Sequence, residues 1–288
     1  MYAVILLYRT AKDSLLVSLF QGAILFLVLY TSINCRFFLS ITFSLSTLTM
    51  FQLNIHPKKT AFFFLAIVLF LTVLHSIALT TFLYTGDHEL LDITGYFDFD
   101  IEKNIPSLYS AFAIFFCSFL FFCISSLEKD QGTRRCYWLV LAAVFFFLSL
   151  DEALVLHERV GDYTEYYLQQ TGVLQASGLL YFPWILPYSI LTAILGVFYF
   201  RFLLRLPRKT AVLLVLSAII FLTGAAFFDM LGGREAELYG YEGVTYTVLY
   251  TIEEFCEMNG IVLLMYTLLD YIEQHFGHLA LSLQVHKT

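Results

Sequence analysis

Residues 60–84 read TAFFFLAIVLFLTVLHSIALTTFLY, a run without a single Asp, Glu, Lys or Arg. A helix crossing the hydrocarbon core needs about 20 such residues. Five further stretches meet the same standard, at 107–127, 136–157, 178–200, 210–231 and 244–271. Ahead of them, 15–33 and 37–53 read as a helical hairpin turning at Asn34-Cys35-Arg36. The expected fold is therefore all-α, a polytopic transmembrane helix bundle of six clear spans plus an N-terminal hairpin, eight in total. The corresponding divisions are a hairpin extension at 1–55, a six-helix core at 56–275 and a tail at 276–288.

Composition agrees. The chain is 59% hydrophobic and 14% charged with mean hydropathy +0.78, against about 25% charged in a soluble domain. Basic residues are too few and scattered for a nucleic-acid footprint. The five cysteines include no C-x-x-C, so neither a disulfide framework nor a zinc knuckle is indicated. The lipid bilayer is the first partner.

Lys and Arg divide 12 to 4 between the two sets of loops. The positive-inside rule puts the richer set in the cytoplasm. The expected location is the plasma (inner) membrane with both termini cytoplasmic. Acids partition the opposite way: 18 of 23 lie in the other loops or in the adjoining halves of the helices. Tyrosines gather there too, as an interfacial aromatic belt.

Charged residues inside spans are costly and mark functional sites. In the 136–157 helix and its extension, Asp151 and Glu158 are seven apart, two turns on one face, with Glu152 and His157 offset to either side. In the 244–271 helix, Glu253, Glu254 and Glu257 fall within an arc of about 100°. Three ionised carboxylates there would repel, so protons or a cation must hold them together. Gly260 shares their face, where it admits a close neighbour. Asp229 follows the small residues Gly224, Ala225 and Ala226, which suit close helix packing. His75 lies at a depth similar to that of the glutamates. Carboxylates with a histidine suit Zn, Mn or Fe, although H-E-x-x-H is absent.

Ser149-Leu150-Asp151-Glu152 with His157-Glu158, Glu253-Glu254-x-x-Glu257, and Glu102-x-Asn104-Ile105-Pro106 resemble motifs in an uncharacterised group of bacterial multi-pass membrane proteins. The similarity covers about residues 60–272 and implies no activity. From the residues themselves, the leading expectation is a divalent-metal site at the non-cytoplasmic end acting on a lipid or lipid-linked substrate. Asp151, His157, Glu158, Glu254 and Glu257 are its primary residues, with His75, Asp229 and Glu253 secondary. A proton- or cation-coupled transporter and an accessory or assembly protein are the alternatives.

Overall fold

In lipid no water is available to the backbone, so each apolar run must satisfy its own N–H and C=O groups as helix. The computed structural model of the chain describes residues 50–85, 95–128, 133–172, 175–277 and 279–284. Among them are α1 (Pro57–Thr85), α2 (Ile105–Leu127), α3 (Thr133–Leu154), α4 (Leu156–Thr171), α5 (Ile185–Leu203), α6 (Arg208–Tyr239) and α7 (Val244–Phe276). All except α4 are long and apolar enough to cross a membrane, giving six candidate spans. Short strands β1 (Met50–Ile55) and β2 (Leu279–Gln284) pair with each other.

The expected N-terminal hairpin lies outside the described residues, apart from Met50–Leu53, which belong to β1. The six expected core spans are all present with shifted ends. The expected 136–157 helix stops at Leu154, and the chain re-enters helix as α4. The 178–200 span starts only at Ile185, after a 3-10 turn at Gly178–Leu180; Pro187 then falls in its first turn, where a missing N–H costs nothing. The 210–231 span runs on to Tyr239 through a π-helical turn at Thr223–Phe228.

Successive spans alternate in direction. One end of the bundle therefore carries the α2–α3 and α5–α6 connections, rich in Lys and Arg, and the other the acidic loops. These are called the basic and acidic ends below. Helix α7 is central, packing on α1, α2 and α6. Toward the basic end its Met265, Leu268 and Ile272 join Val68, Leu120, Phe121, Ile124 and Trp138 in one fully buried cluster. Trp138 is held among Phe202 (5.0 Å), Tyr271 (5.2 Å) and Phe121 (6.0 Å). Phe62, Phe63, Phe70, Ile194 and Val197 face outward, as a lipid-solvated surface requires.

With lipid on every side, helix association rests on close packing and interhelical hydrogen bonds rather than on hydrophobic exclusion. Helices α2 and α3 use hydroxyls: Ser118 donates to the Ala142 carbonyl (2.7 Å), Ser149 to Ala111 (2.8 Å) and Ser125 to Arg135 (3.1 Å). Helices α6 and α7 use glycine, as expected for both Gly224 and Gly260. A Cβ on Gly260 would stand 2.8 Å from the Phe221 nitrogen and 2.9 Å from its Cα; one on Gly224 would stand 2.5 Å from the Glu253 carbonyl oxygen. Backbone atoms cannot step aside as a flexible side chain can. Gly260→Ala should therefore destabilise the protein in micelles by about 1–3 kcal/mol, the usual cost of overpacking. Gly196→Ala, with nothing within 4 Å of the new methyl group, should leave stability unchanged or slightly raised. Denaturant titration of the two variants side by side reads the difference.

Candidate functional site at the acidic end

The acidic residues of the spans are brought together by two departures from regular helix. The first is at Val155, between α3 and α4. It is buried and has φ 56°, ψ 51°, a left-handed conformation that a β-branched residue adopts only under constraint. The turn it makes abolishes the continuous face expected to join Asp151 and Glu158. It sends His157 back over the end of α3 instead. There Nδ1 lies 3.6 Å from Asp151 Oδ1, and Nε2 lies 3.8 Å from Glu102 Oε1. The imidazole thus stands between two carboxylates, with the Trp184 ring 5.3 Å away. Glu158 is exposed but within electrostatic reach of His157 and Glu102. Asp151 is 6% exposed, yet its Oδ1 lacks a hydrogen-bond partner. The nearby Tyr188 hydroxyl is also buried without one.

The second departure is the π turn of α6. Such turns insert one residue into the helical register and recur at functional sites. This one is pressed onto α7 at Gly224 and delivers Asp229 immediately afterwards, 6% exposed, with Oδ2 unpartnered. Asp229 is within electrostatic reach of His157, Glu253, Glu254 and Glu257. The three glutamates start about 14 Å along α7 from its acidic end. Glu254 also senses Glu102, and Glu152 joins the set through Glu254 and Asp151. Among the described residues none of these acids has a Lys or Arg within ion-pair distance; Asp151 and Glu102 face the His157 ring instead.

His75 does other work. The Phe99 amide donates to its Nδ1 (3.3 Å), so Nε2 carries the ring proton and donates to Thr251 Oγ1 (3.0 Å). Phe99 stacks flat on the imidazole at 4.3 Å, and Asp98 Oδ1 is 3.6 Å from Nδ1. The 97–101 segment is a series of turns that buries Phe99 against the bundle. The Tyr246 hydroxyl donates to Asp100 (2.7 Å) and that of Tyr250 to Asp98 (3.2 Å). Asn104 donates to the Asp98 and Gly95 carbonyls while accepting from the Ser107 amide as the N-cap of α2. The segment is a folded cap, and it carries Glu102 to His157.

Of the residues expected to form a site, Asp151, His157, Asp229, Glu253, Glu254 and Glu257 form one electrostatic cluster. Glu158 lies at its rim, and His75 anchors the cap. Glu102, Trp184, Tyr188 and Val155 went unforeseen as site residues. Only Asn104, before Ile105-Pro106, carried a recognisable helix-start signal. Among the described residues, no group of three or more His, Cys, Asp and Glu side chains is placed to hold a metal ion.

A domain of unknown function, DUF8692, matches residues 60–271. The chain belongs to that family. No curated protein and no solved structure matches it. The match begins in α1 and ends in α7, so the DUF8692 domain comprises the bundle and its acidic cluster.

Burial draws the His157 pKa down, but the facing Asp151 carboxylate and the charges of Glu102 and Glu158 outweigh it, leaving the pKa above its ordinary value of 6.5. A base whose pKa is raised by folding stabilises the folded state fully below its unfolded value. That contribution is lost as pH rises through the folded value. Glu102, whose pKa is raised by burial despite the opposing charge of His157, works in the same direction. Thermal midpoints should therefore fall as pH rises from 6 to 9 (about the span of a shifted imidazole), and His157→Gln should flatten that slope.

Proposed function

We propose that the protein is an integral membrane protein whose working part is a proton-handling acid centre at the acidic end. His157, held as an imidazolium between Asp151 and Glu102, is its proton donor. The carboxylates of α6 and α7 are the reservoir behind it. One observation carries this reading: a cluster of carboxylates from α3, α6, α7 and the cap, with Asp151 and Asp229 buried and Glu152, Glu253, Glu254 and Glu257 half-buried, has no Lys or Arg within ion-pair distance among the described residues. Removing an ion from water costs several kcal/mol even after relaxation. Protons are the compensation that the arrangement allows without moving a side chain.

The chemistry that follows is general acid–base catalysis on a molecule reaching the centre from the acidic side. A lipid or lipid-linked substrate suits a centre at that depth below the headgroups. A route through the bundle is disfavoured, because the basic half of α7 is sealed by Met265, Leu268 and Ile272, and the buried Ser118, Ser125, Ser217 and Thr267 spend their hydroxyls on backbone carbonyls. This favours acid–base chemistry over coupled transport.

A divalent metal is the second reading, favoured by the orphaned oxygens of Asp151 and Asp229. His157 turns both nitrogens to carboxylates, so the donors left are oxygens, from Asp229, Glu253, Glu254 and Glu257. Such a set suits Mn or Mg better than Zn.

Carbodiimides react with protonated carboxyl groups in apolar surroundings. With metal-free protein at neutral pH, peptide mapping should find the label on α7 within 253–257, and Glu257→Gln should reduce it. Label absent from α7, together with stoichiometric bound metal in the protein as isolated, would replace the proton reading by the metal one.

A further inference from the structure

A second candidate site lies at the opposite end of the bundle and is independent of the acid centre. Where α6 begins, Arg208, Lys209, Val212, Leu213 and Tyr266 line an open groove of about 610 Å³. Its two halves differ in chemistry. At the mouth stand two cations. Lys209 is fixed in place, donating to both oxygens of Asp270 at 2.8 Å, with its ammonium 5.8 Å from the Tyr266 ring centre. Asp270 is itself held by Gln274 at 2.7 Å. With the Tyr266 side chain also in reach of its ammonium, Lys209 is a positioned positive charge at the mouth. Arg208 is exposed and makes no ion pair among the described residues, so its charge is uncompensated.

Below the mouth the groove is apolar. It continues onto one stripe of α6, where Val212, Leu216 and Ile219 follow at helical spacing and are 55%, 43% and 56% exposed. A soluble anion would use the mouth and ignore the stripe. A neutral lipid would use the stripe and ignore the mouth. An amphiphile with an anionic head uses both, and it is present at high local concentration in a leaflet that contains acidic lipid.

We propose that this groove binds an anionic phospholipid, its phosphate held by Arg208 beside the Lys209 ammonium and an acyl chain laid along Val212, Leu216 and Ile219. The test is native mass spectrometry of the full chain released from nanodiscs of phosphatidylglycerol mixed with phosphatidylcholine, read against inorganic phosphate as competitor. Phosphatidylglycerol should be retained in preference to phosphatidylcholine. Arg208→Gln should lower that preference about fivefold, the worth of one basic side chain near a charged membrane surface. Arg208→Lys should keep most of it. Val212→Asp, which sets a negative charge at the head of the stripe, should abolish retention while thermal stability shows that the fold persists. Equal retention of the two lipids, a preference unchanged in Arg208→Gln, or displacement of the lipid by inorganic phosphate would each overturn the proposal.

Discussion

Among the described residues the acids of the cluster have no Lys or Arg within ion-pair distance, and the acidic half of this bundle is organised around that imbalance. In water the imbalance would be trivial. Among packed helices each ionised carboxylate loses hydration that only a counter-charge, a hydrogen-bond donor or a proton can replace. Among the described residues the counterparts are the His157 imidazole, between Asp151 and Glu102, and the Tyr246 and Tyr250 hydroxyls donated to the cap. The fold also bears local costs to keep the acids together. A β-branched residue sits in the left-handed region at Val155, a π turn interrupts α6, and two glycines bring α6 and α7 into backbone contact. Each is worth of order 1 kcal/mol or more, and all converge on the same cluster.

The two halves of the bundle are built on different rules. Toward the basic end, large side chains interlock around Trp138 and α7, and the hydroxyls of Ser118, Ser125, Ser217 and Thr267 are turned onto backbone carbonyls. Toward the acidic end, His75, Phe99, Tyr246, Tyr250 and Asn104 hold a capping segment over charged groups. A rigid half supporting a polar half is what a site needs if its groups are to keep their geometry while their protonation changes.

Much of this was legible in the sequence. The spans were, because a run such as 60–84 has only one structure available in lipid. The roles of Gly224 and Gly260 were, because small residues on a charged face signal close approach. Asp151 and the α7 glutamates were each marked by the cost of a charge inside a span, and the structure links them through Glu152 and His157. The grouping of Asp151 with Glu158 did not hold, because helical periodicity assumes an unbroken helix and nothing local marks Val155 as a break: it is neither Gly nor Pro. Glu102 was overlooked because its place depends on a cap folded by contacts remote in sequence, Phe99 with His75 and Asp98 with Tyr250. His75 looked like a ligand from its depth alone, yet its depth serves to receive Phe99.

The proton balance of the cluster can be read directly by infrared spectroscopy of metal-free protein at neutral pH, through the carbonyl stretch that only protonated carboxyl groups show. The account predicts this band in the wild type, its loss on raising pH, and a smaller band in Glu257→Gln and Asp229→Asn. A wild-type protein without the band, and with every acid of the cluster ionised, would contradict it.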